Sequence, residues 1–217
     1  MSNYTLIFGN KNYSSWSLRP WLWMKQCSIP FIEKRVPLFT DTYKHELEPY
    51  FSNYKVPVLL DGNFIVWDTL AILEYLAERN QDTHGWPVDA RARAVARSVS
   101  AEMHSSFAAL RNAMPMNCRK HFPGYEINNA VQQDIDRIVR LWQHCKKHYG
   151  AGGDWLFGEF SIADAMFAPV VLRLHGYDVT LDGVAGDYVQ HVLANDHIKD
   201  WIEAGIQEIE IIELDEV

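Results

Sequence analysis

Four short stretches of the chain carry residue types whose chemistry goes beyond filling a core. Asn12-Tyr13-Ser14-Ser15-Trp16-Ser17-Leu18-Arg19-Pro20 sets three hydroxyls at the start of an apolar helical stretch. A serine there caps the helix by accepting from orphan backbone N–H groups. The same hydroxyl, backed by the positive end of the helix dipole, also donates to an anion. Ser14 is nearest the open turn, Ser15 is placed to cap, and Ser17 falls inside the first turn. Pro20 is compatible with a helix if it lies in or near that turn.

Lys55-Val56-Pro57-Val58 stands directly before a strand. A proline at a strand entrance is ordinary; a cis Val56–Pro57 bond is the sharper alternative and turns the Val56 backbone outward. Asp68-Thr69 opens a second helix. One of the two caps it, or the carboxylate, the hydroxyl and the free N–H groups together grip an amino-acid-like head group. Ser161-Ile162-Ala163-Asp164 has the spacing of a capping box, which is a structural device.

Other chemistries find no support. Cys27, Cys118 and Cys145 are far apart and without a Cys-x-x-Cys pair, and the nine histidines are scattered. Neither a disulfide framework nor a metal site is expected from that spacing, and a reducing compartment is the simplest reading. No Gly-x-Ser-x-Gly accompanies the serines, which removes a serine-hydrolase reading. With 20 Lys plus Arg against 28 Asp plus Glu, the formal charge of −8 argues against nucleic acid or an anionic membrane as partner. The longest apolar run, Ala165 to Leu172, is too short for a membrane span, and no secretory signal is visible at the N-terminus.

The elements that must hold these residues change character along the chain. Residues 4–9 read as a strand, 13–27 as an apolar helical stretch, and Phe31 to Val36 as an alternating strand. Residues 41–51 are a short polar helix or turn. Val58-Leu59-Leu60 and Phe64-Ile65-Val66-Trp67 flank the tight turn Asp61-Gly62-Asn63. A helix follows over 68–79, with Leu70, Leu73 and Ala77 on one face. Residues 81–90, polar with Gly and Pro, read as a linker. Beyond it the strand signal disappears. Val95, Val99, Met103, Phe107 and Leu110 lie near helical spacing, and Val131, Ile135, Ile138, Trp142 and Cys145 follow a strong 4-3-4-3 pattern. Residues 162–175 form an apolar helix and 198–207 an amphipathic one. The expected organisation is an α/β domain over 1–80 and an all-helical domain over 91–217, in a chain of 217 residues.

The four features in this order resemble the cytosolic glutathione transferases, and the resemblance covers nearly the whole chain. It implies a thioredoxin-like first domain of order βαβαββα and an all-α second domain. Ser14-Ser15-Trp16-Ser17-Leu18-Arg19 looks like the Ser-Ser-Cys-Ser-Trp-Arg segment of the zeta branch, the maleylacetoacetate isomerases. Trp16 replaces the cysteine and Leu18 the tryptophan. The family's active serine lies five residues before that arginine, which implies Ser14. Val56-Pro57 matches the cis-proline element that holds the cysteinyl unit of glutathione. Asp68-Thr69 stands where the family binds the γ-glutamyl head, and Lys55 where a basic side chain helps with the glycyl end. Trp16, Met103, Phe107, Arg111 and Met114 are candidates for a second-substrate pocket, and equally for packing.

The resemblance implies an enzyme that uses glutathione as co-substrate and needs no metal. It stabilises the glutathione thiolate for attack on a small electrophile, as in detoxification, in a cytoplasmic homodimer. A zeta-type glutathione-dependent cis-trans isomerase and a catalytically idle binding protein are the alternatives. The loss of the cysteine at Trp16 weakens the first of these.

Overall fold

The computed structural model describes residues 4–217. The first part runs β1 (Tyr4–Phe8), α1 (Ser15–Gln26), β2 (Ile32–Arg35), α2 (Tyr43–Leu47), a 3₁₀ turn, β3 (Val58–Asp61), β4 (Phe64–Trp67) and α3 (Thr69–Arg79). These strands form one sheet of order β2-β1-β3-β4. β1 and β2 are parallel, with Leu6 opposite Glu33, and so need α1 as their crossover. β3 returns antiparallel to β1, with Leu6 opposite Leu59, and β4 antiparallel to β3. The hairpin between them turns at Gly62, whose φ of 58° is costless only for glycine.

Alternation along β1 divides the core. Leu6 and Phe8 join Leu59 and the helices α1 and α3, whereas Ile7 packs on the other face with Val36, Leu47 and Val58. The buried face of α3 is Thr69, Ile72, Leu73 and Leu76. Of the face expected from the sequence, Leu73 is central, and Leu70 and Ala77 pack only at its margin.

The remaining elements are helices: α4 (Ala90–Ser105), α5 (Ala108–Ala113), α6 (Asn129–Tyr149), α7 (Ile162–Gly176), α8 (Gly183–Ala194) and α9 (Asp196–Ile206). The pattern Val131, Ile135, Ile138, Trp142, Cys145 is the buried stripe of α6. The helical spacing through Met103, Phe107 and Leu110 does not make one helix. Phe107 adopts φ 61° and separates α4 from α5. α8, not expected from the sequence, covers α6 and α7.

α7 is buried almost all round and packs against α1, fusing the sheet-bearing part to the helices. Arg19 on α1 donates from Nε to the Met166 carbonyl at 3.0 Å. Pro20 lies in the second turn of α1 rather than the first. A proline there removes the N–H that would bond the carbonyl four residues back. That carbonyl belongs to Trp16, and the Thr69 hydroxyl donates to it at 3.0 Å. The missing helix bond thus becomes the joint between α1 and α3. The capping box of α7 is present: the Ser161 N–H donates to Asp164 Oδ2 at 2.9 Å, and the Leu156 N–H and Tyr188 hydroxyl donate to Oδ1. No helix among the described residues is long and apolar enough to cross a membrane.

Candidate functional site

The N-termini of α1 and α3 open on the same cleft. It consists of two adjoining cavities of about 490 and 570 Å³ that share Trp16, Asn53, Lys55, Val56 and Arg111 as walls. The first is bounded by Asp68 and Thr69, the second by Ser14 and Ser15.

Asp68 occupies φ 74°, an uncommon conformation for a residue with a Cβ, as the N-cap of α3. Its Oδ1 accepts from the N–H groups of Leu70 at 2.9 Å and Ala71 at 3.2 Å. Its Oδ2 meets His104 Nε2 of α4 at 2.8 Å. Capping leaves a half-exposed carboxylate at the cavity rim. Thr69 is buried, and its hydroxyl is committed to Trp16.

The peptide bond between Val56 and Pro57 is cis, and both residues line the first cavity. The approach to it is unusual backbone. Phe51, Asn53 and Tyr54 have φ of 54°, 53° and 60°. Such a run in non-glycine residues marks a segment held by its surroundings, and such segments concentrate at functional sites. Lys55 projects exposed from this segment and enters no ion pair among the described residues.

The three serines have separate surroundings. Ser14 is the N-cap residue of α1, but no side chain caps this helix. Its hydroxyl donates to Ser17 Oγ at 2.7 Å, and Ser17 Oγ also accepts from the Gly9 N–H at 3.2 Å. Ser17 is fully buried and away from the cleft. Ser15, expected to cap, instead accepts from the Arg173 guanidinium at 3.2 Å. Its own hydroxyl hydrogen is thereby free, and polarised by a neighbouring cation. Ser14 and Ser15 therefore both face the second cavity, and Ser17 anchors the turn.

Of the residues weighed for a second-substrate pocket, Trp16 and Arg111 line both cavities. Met103 and Phe107 do not: Met103 is on the face of α4 packed against α7, and Phe107 is buried at the helix break. Met114 is also core, but Pro115 and Met116 just after it reach the second cavity. Several wall residues were not expected from the sequence: Tyr13, Asn53, His104, Arg173, and Ile212 with Asp215 from the C-terminal segment. Arg173 had a signal, as a lone cation beside the apolar run of α7.

Three arginines surround Trp16 and Ser15 at the cleft. Arg19 and Arg111 lie 4.2 and 4.6 Å from the Trp16 ring centre. Burial pushes the Arg173 guanidinium down to about 10, with Arg111 adding repulsion. Burial also lowers Arg111, and it lowers Arg19 with help from Arg173. The cysteines play no part: burial raises all three thiols to about 12. No cluster of three metal-ligating side chains occurs among the described residues. The arrangement offers hydroxyl donors for an anion beside α1, the Asp68 carboxylate with the Thr69 N–H beside α3, and the Val56 backbone between them.

Comparison with known proteins matches both parts of the chain. The glutathione S-transferase N-terminal domain family matches residues 13–79, and the C-terminal domain family matches residues 128–204. A Caenorhabditis elegans protein described as a probable maleylacetoacetate isomerase is 28% identical over 170 residues, 77% of each chain. A stringent starvation protein A homolog from Haemophilus ducreyi is 24% identical, covering 67% of this chain and 63% of its own. Among solved structures, a Burkholderia glutathione transferase homolog with bound glutathione superposes with a TM-score of 0.69 at 22% identity. It covers 93% of this chain and 97% of its own.

Proposed function

Because the chain belongs to the glutathione transferase family, we propose that its cleft binds glutathione and stabilises the thiolate for attack on a small electrophile. The observation that carries this reading is the joining of the α1 and α3 N-termini across the Val56 backbone in one cleft. The dimensions and chemistry fit a γ-glutamyl tripeptide. In this reading the Asp68 carboxylate takes the ammonium, and the Thr69 N–H, which the cap on Leu70 and Ala71 leaves over, takes the γ-glutamyl carboxylate. Val56 offers backbone groups to the cysteinyl unit, and Lys55 a charge to the glycyl end. The same reading makes the protein a cytoplasmic enzyme of detoxification, with which its three unpaired cysteines are consistent.

The chemistry asked of the protein is modest. A free thiol of pKa about 8.5 is mostly neutral at pH 7, and only the thiolate is the nucleophile. Lowering that pKa by about two units takes about 2.7 kcal/mol of preferential thiolate stabilisation. A hydroxyl donating to a charged sulfur contributes about 1.5–3 kcal/mol, and a helix N-terminus about 0.3–1. Ser14 performs this by turning its hydrogen from Ser17 Oγ to the sulfur. It is a donor, not a base. Ser15 is the rival, because its hydroxyl is already backed by Arg173.

The test is thiolate absorbance against pH for the glutathione complexes of Ser14→Ala and Ser15→Ala. Ser14→Ala is expected to raise the bound thiol pKa by about one to two units, with turnover at neutral pH falling about ten- to hundredfold. A shift in Ser15→Ala alone transfers the role to Ser15. No shift in either removes the hydroxyl from the mechanism.

A glutathione-dependent isomerase is the second reading, favoured by the Caenorhabditis elegans relative. In it the thiolate adds to a cis double bond, the new single bond rotates, and the sulfur leaves. Trp16 in place of a cysteine speaks against it, and assay of a cis dienone acid against a halonitrobenzene separates the two.

We also propose a homodimer in which each α/β part faces the partner's helical part. Phe51, 80% exposed, lines the first cavity and touches the exposed Trp67 on the same wall, with rings 5.4 Å apart. An exposed aromatic pair on strained backbone is the kind of feature a second copy covers. Phe51→Asp is expected to convert a dimer to a monomer in sedimentation at micromolar concentration; a wild-type monomer refutes the proposal.

A further inference from the structure

The two oxygens of Asp68 do different work, and only one of them belongs to the helix. Oδ1 supplies both cap bonds, to the N–H groups of Leu70 and Ala71. Oδ2 is left over by the cap and meets His104 Nε2 at 2.8 Å, across 36 residues of chain. A carboxylate only accepts, so Nε2 carries the hydrogen. His104 stands in the last turn of α4, just ahead of the break at Phe107. Its ring meets that of Trp16 edge-on, with centres 5.2 Å apart. Both side chains of the pair line the first cavity and reach its space, His104 being 33% and Asp68 44% exposed. Trp16 joins the two sides, with its ring against His104 and its carbonyl accepting from Thr69. The wall beside the α3 N-terminus is thus assembled from α1, α3 and α4.

A contact this exposed adds little to stability, and the α3 cap is complete without it. What it changes is orientation. The terminal torsion of an aspartate is broad, and bonds to one oxygen alone leave the carboxylate free to tilt about that oxygen. A bond to the other oxygen fixes its plane, and with it the direction of the lone pair that Oδ2 still has to offer. We propose that His104 is a positioning residue of the glutathione site. By holding Oδ2 it fixes the carboxylate that takes the ammonium, and so sets the preference for a γ-glutamyl head with a free amine. This rests on the glutathione reading of the cleft. An imidazole suits the task because it donates without a permanent charge, whereas a lysine or arginine there would compete with the ammonium for the carboxylate.

Calorimetry with glutathione and its desamino analogue, glutaryl-cysteinylglycine, tests it in the wild type, His104→Leu, His104→Gln and Asp68→Asn. The wild type is expected to bind glutathione about tenfold or more tighter than the analogue, as a charge-assisted contact implies. His104→Leu is expected to weaken glutathione about three- to fivefold and to leave the analogue unchanged, which narrows that ratio. His104→Gln, whose amide also donates, is expected to restore most of it. Asp68→Asn keeps an acceptor for the cap, and adding His104→Leu to it is expected to change nothing further. His104→Ala carries the test if His104→Leu does not fold. An unchanged ratio in His104→Leu overturns the inference, and so does an equal loss for both ligands, which would make His104 a prop of the fold. An effect that persists in the Asp68→Asn background means that His104 touches the ligand itself, and the positioning role is wrong. Equal affinities in the wild type remove the ammonium from Asp68 and overturn this inference while the glutathione reading stands. A wild type that binds neither ligand overturns that reading, and this inference with it.

Discussion

Two groups of basic residues border the turn between β1 and α1, one ion-paired with acids and the other not. On one side Arg119 donates to the Tyr13 hydroxyl at 2.8 Å and to the Glu208 carbonyl, and lies 3.6 Å from Glu216. Glu216 also meets Tyr13, Lys120 and Asn117, while Glu208 accepts the N–H groups of Lys11 and Asn12. Arg35 adds an ion pair to Glu210 at 2.8 Å. This network stitches the C-terminal segment across the turn. On the other side Arg19, Arg111 and Arg173 gather round Trp16 and Ser15, and among the described residues none of the three has a carboxylate within 4 Å. Charges that serve the fold arrive with their partners, and charges left unpaired beside a cavity are candidates for a ligand.

The largest expected effect uses a third kind of buried charge, one satisfied by hydrogen bonds alone. Asp164 receives two N–H groups and two hydroxyls, although burial still pushes its carboxyl up to about 6. Asp164→Ala orphans all four donors and is expected to cost about 2–4 kcal/mol, each unsatisfied buried group being worth about 1–3 before relaxation. Thermal unfolding measures it, with activity per folded molecule near wild type. A large activity loss at unchanged melting temperature would give Asp164 a role in the cleft.

Next is the paired side. Glu216→Ala is expected to cost about 1–3 kcal/mol and to loosen residues 208–217. The same segment responds to acid. Burial raises the Glu216 carboxyl, but Lys120, Tyr13 and Asn117 more than offset this, and Arg35 holds Glu210 low. Carboxyls held below their ordinary range stabilise the fold above about pH 4.5, and that contribution is lost as the pH falls below it. Amide exchange in the tail should therefore accelerate first on acidification. A tail that stays protected below pH 4 would show that apolar contacts hold it.

The smallest effect, and the sharpest test of the comparison, is Arg173→Met. Replacing an uncompensated buried cation with an apolar side chain of similar length is often neutral or stabilising, by up to about 1–4 kcal/mol. The lost bonds to Ser15 and Pro169 offset part of this, so an unchanged or slightly raised melting temperature is expected. A loss as large as that from Glu216→Ala would mean that Arg173 serves the fold, and the contrast between the two groups would fail.

Local signals determined much of this protein. The Asp61-Gly62 turn, the 4-3 spacing of α6, the Ser161–Asp164 box and a cap at Asp68 or Thr69, which the structure gives to Asp68, all act within one or two turns of chain, so neighbouring residues suffice to read them that far. Ser14, Val56 and Asp68 came into view as one set only through the resemblance of these features, taken in order, to the glutathione transferases. What depends on distant chain was decided by packing. Phe107 ends α4 despite helical spacing on both sides. Thr69 turns its hydroxyl to a carbonyl freed by Pro20, 49 residues earlier in the chain than Thr69 itself, and Ser15 gives up capping for an arginine 158 residues away. Met103 and Arg111 read alike as pocket candidates, yet one joined the core and the other the cleft. Hydrophobic spacing tells which face of a helix is buried, but not which neighbour covers it. Whether a buried cation finds a carboxylate or a cavity is settled only when α1, α5, α7 and the C-terminal segment meet.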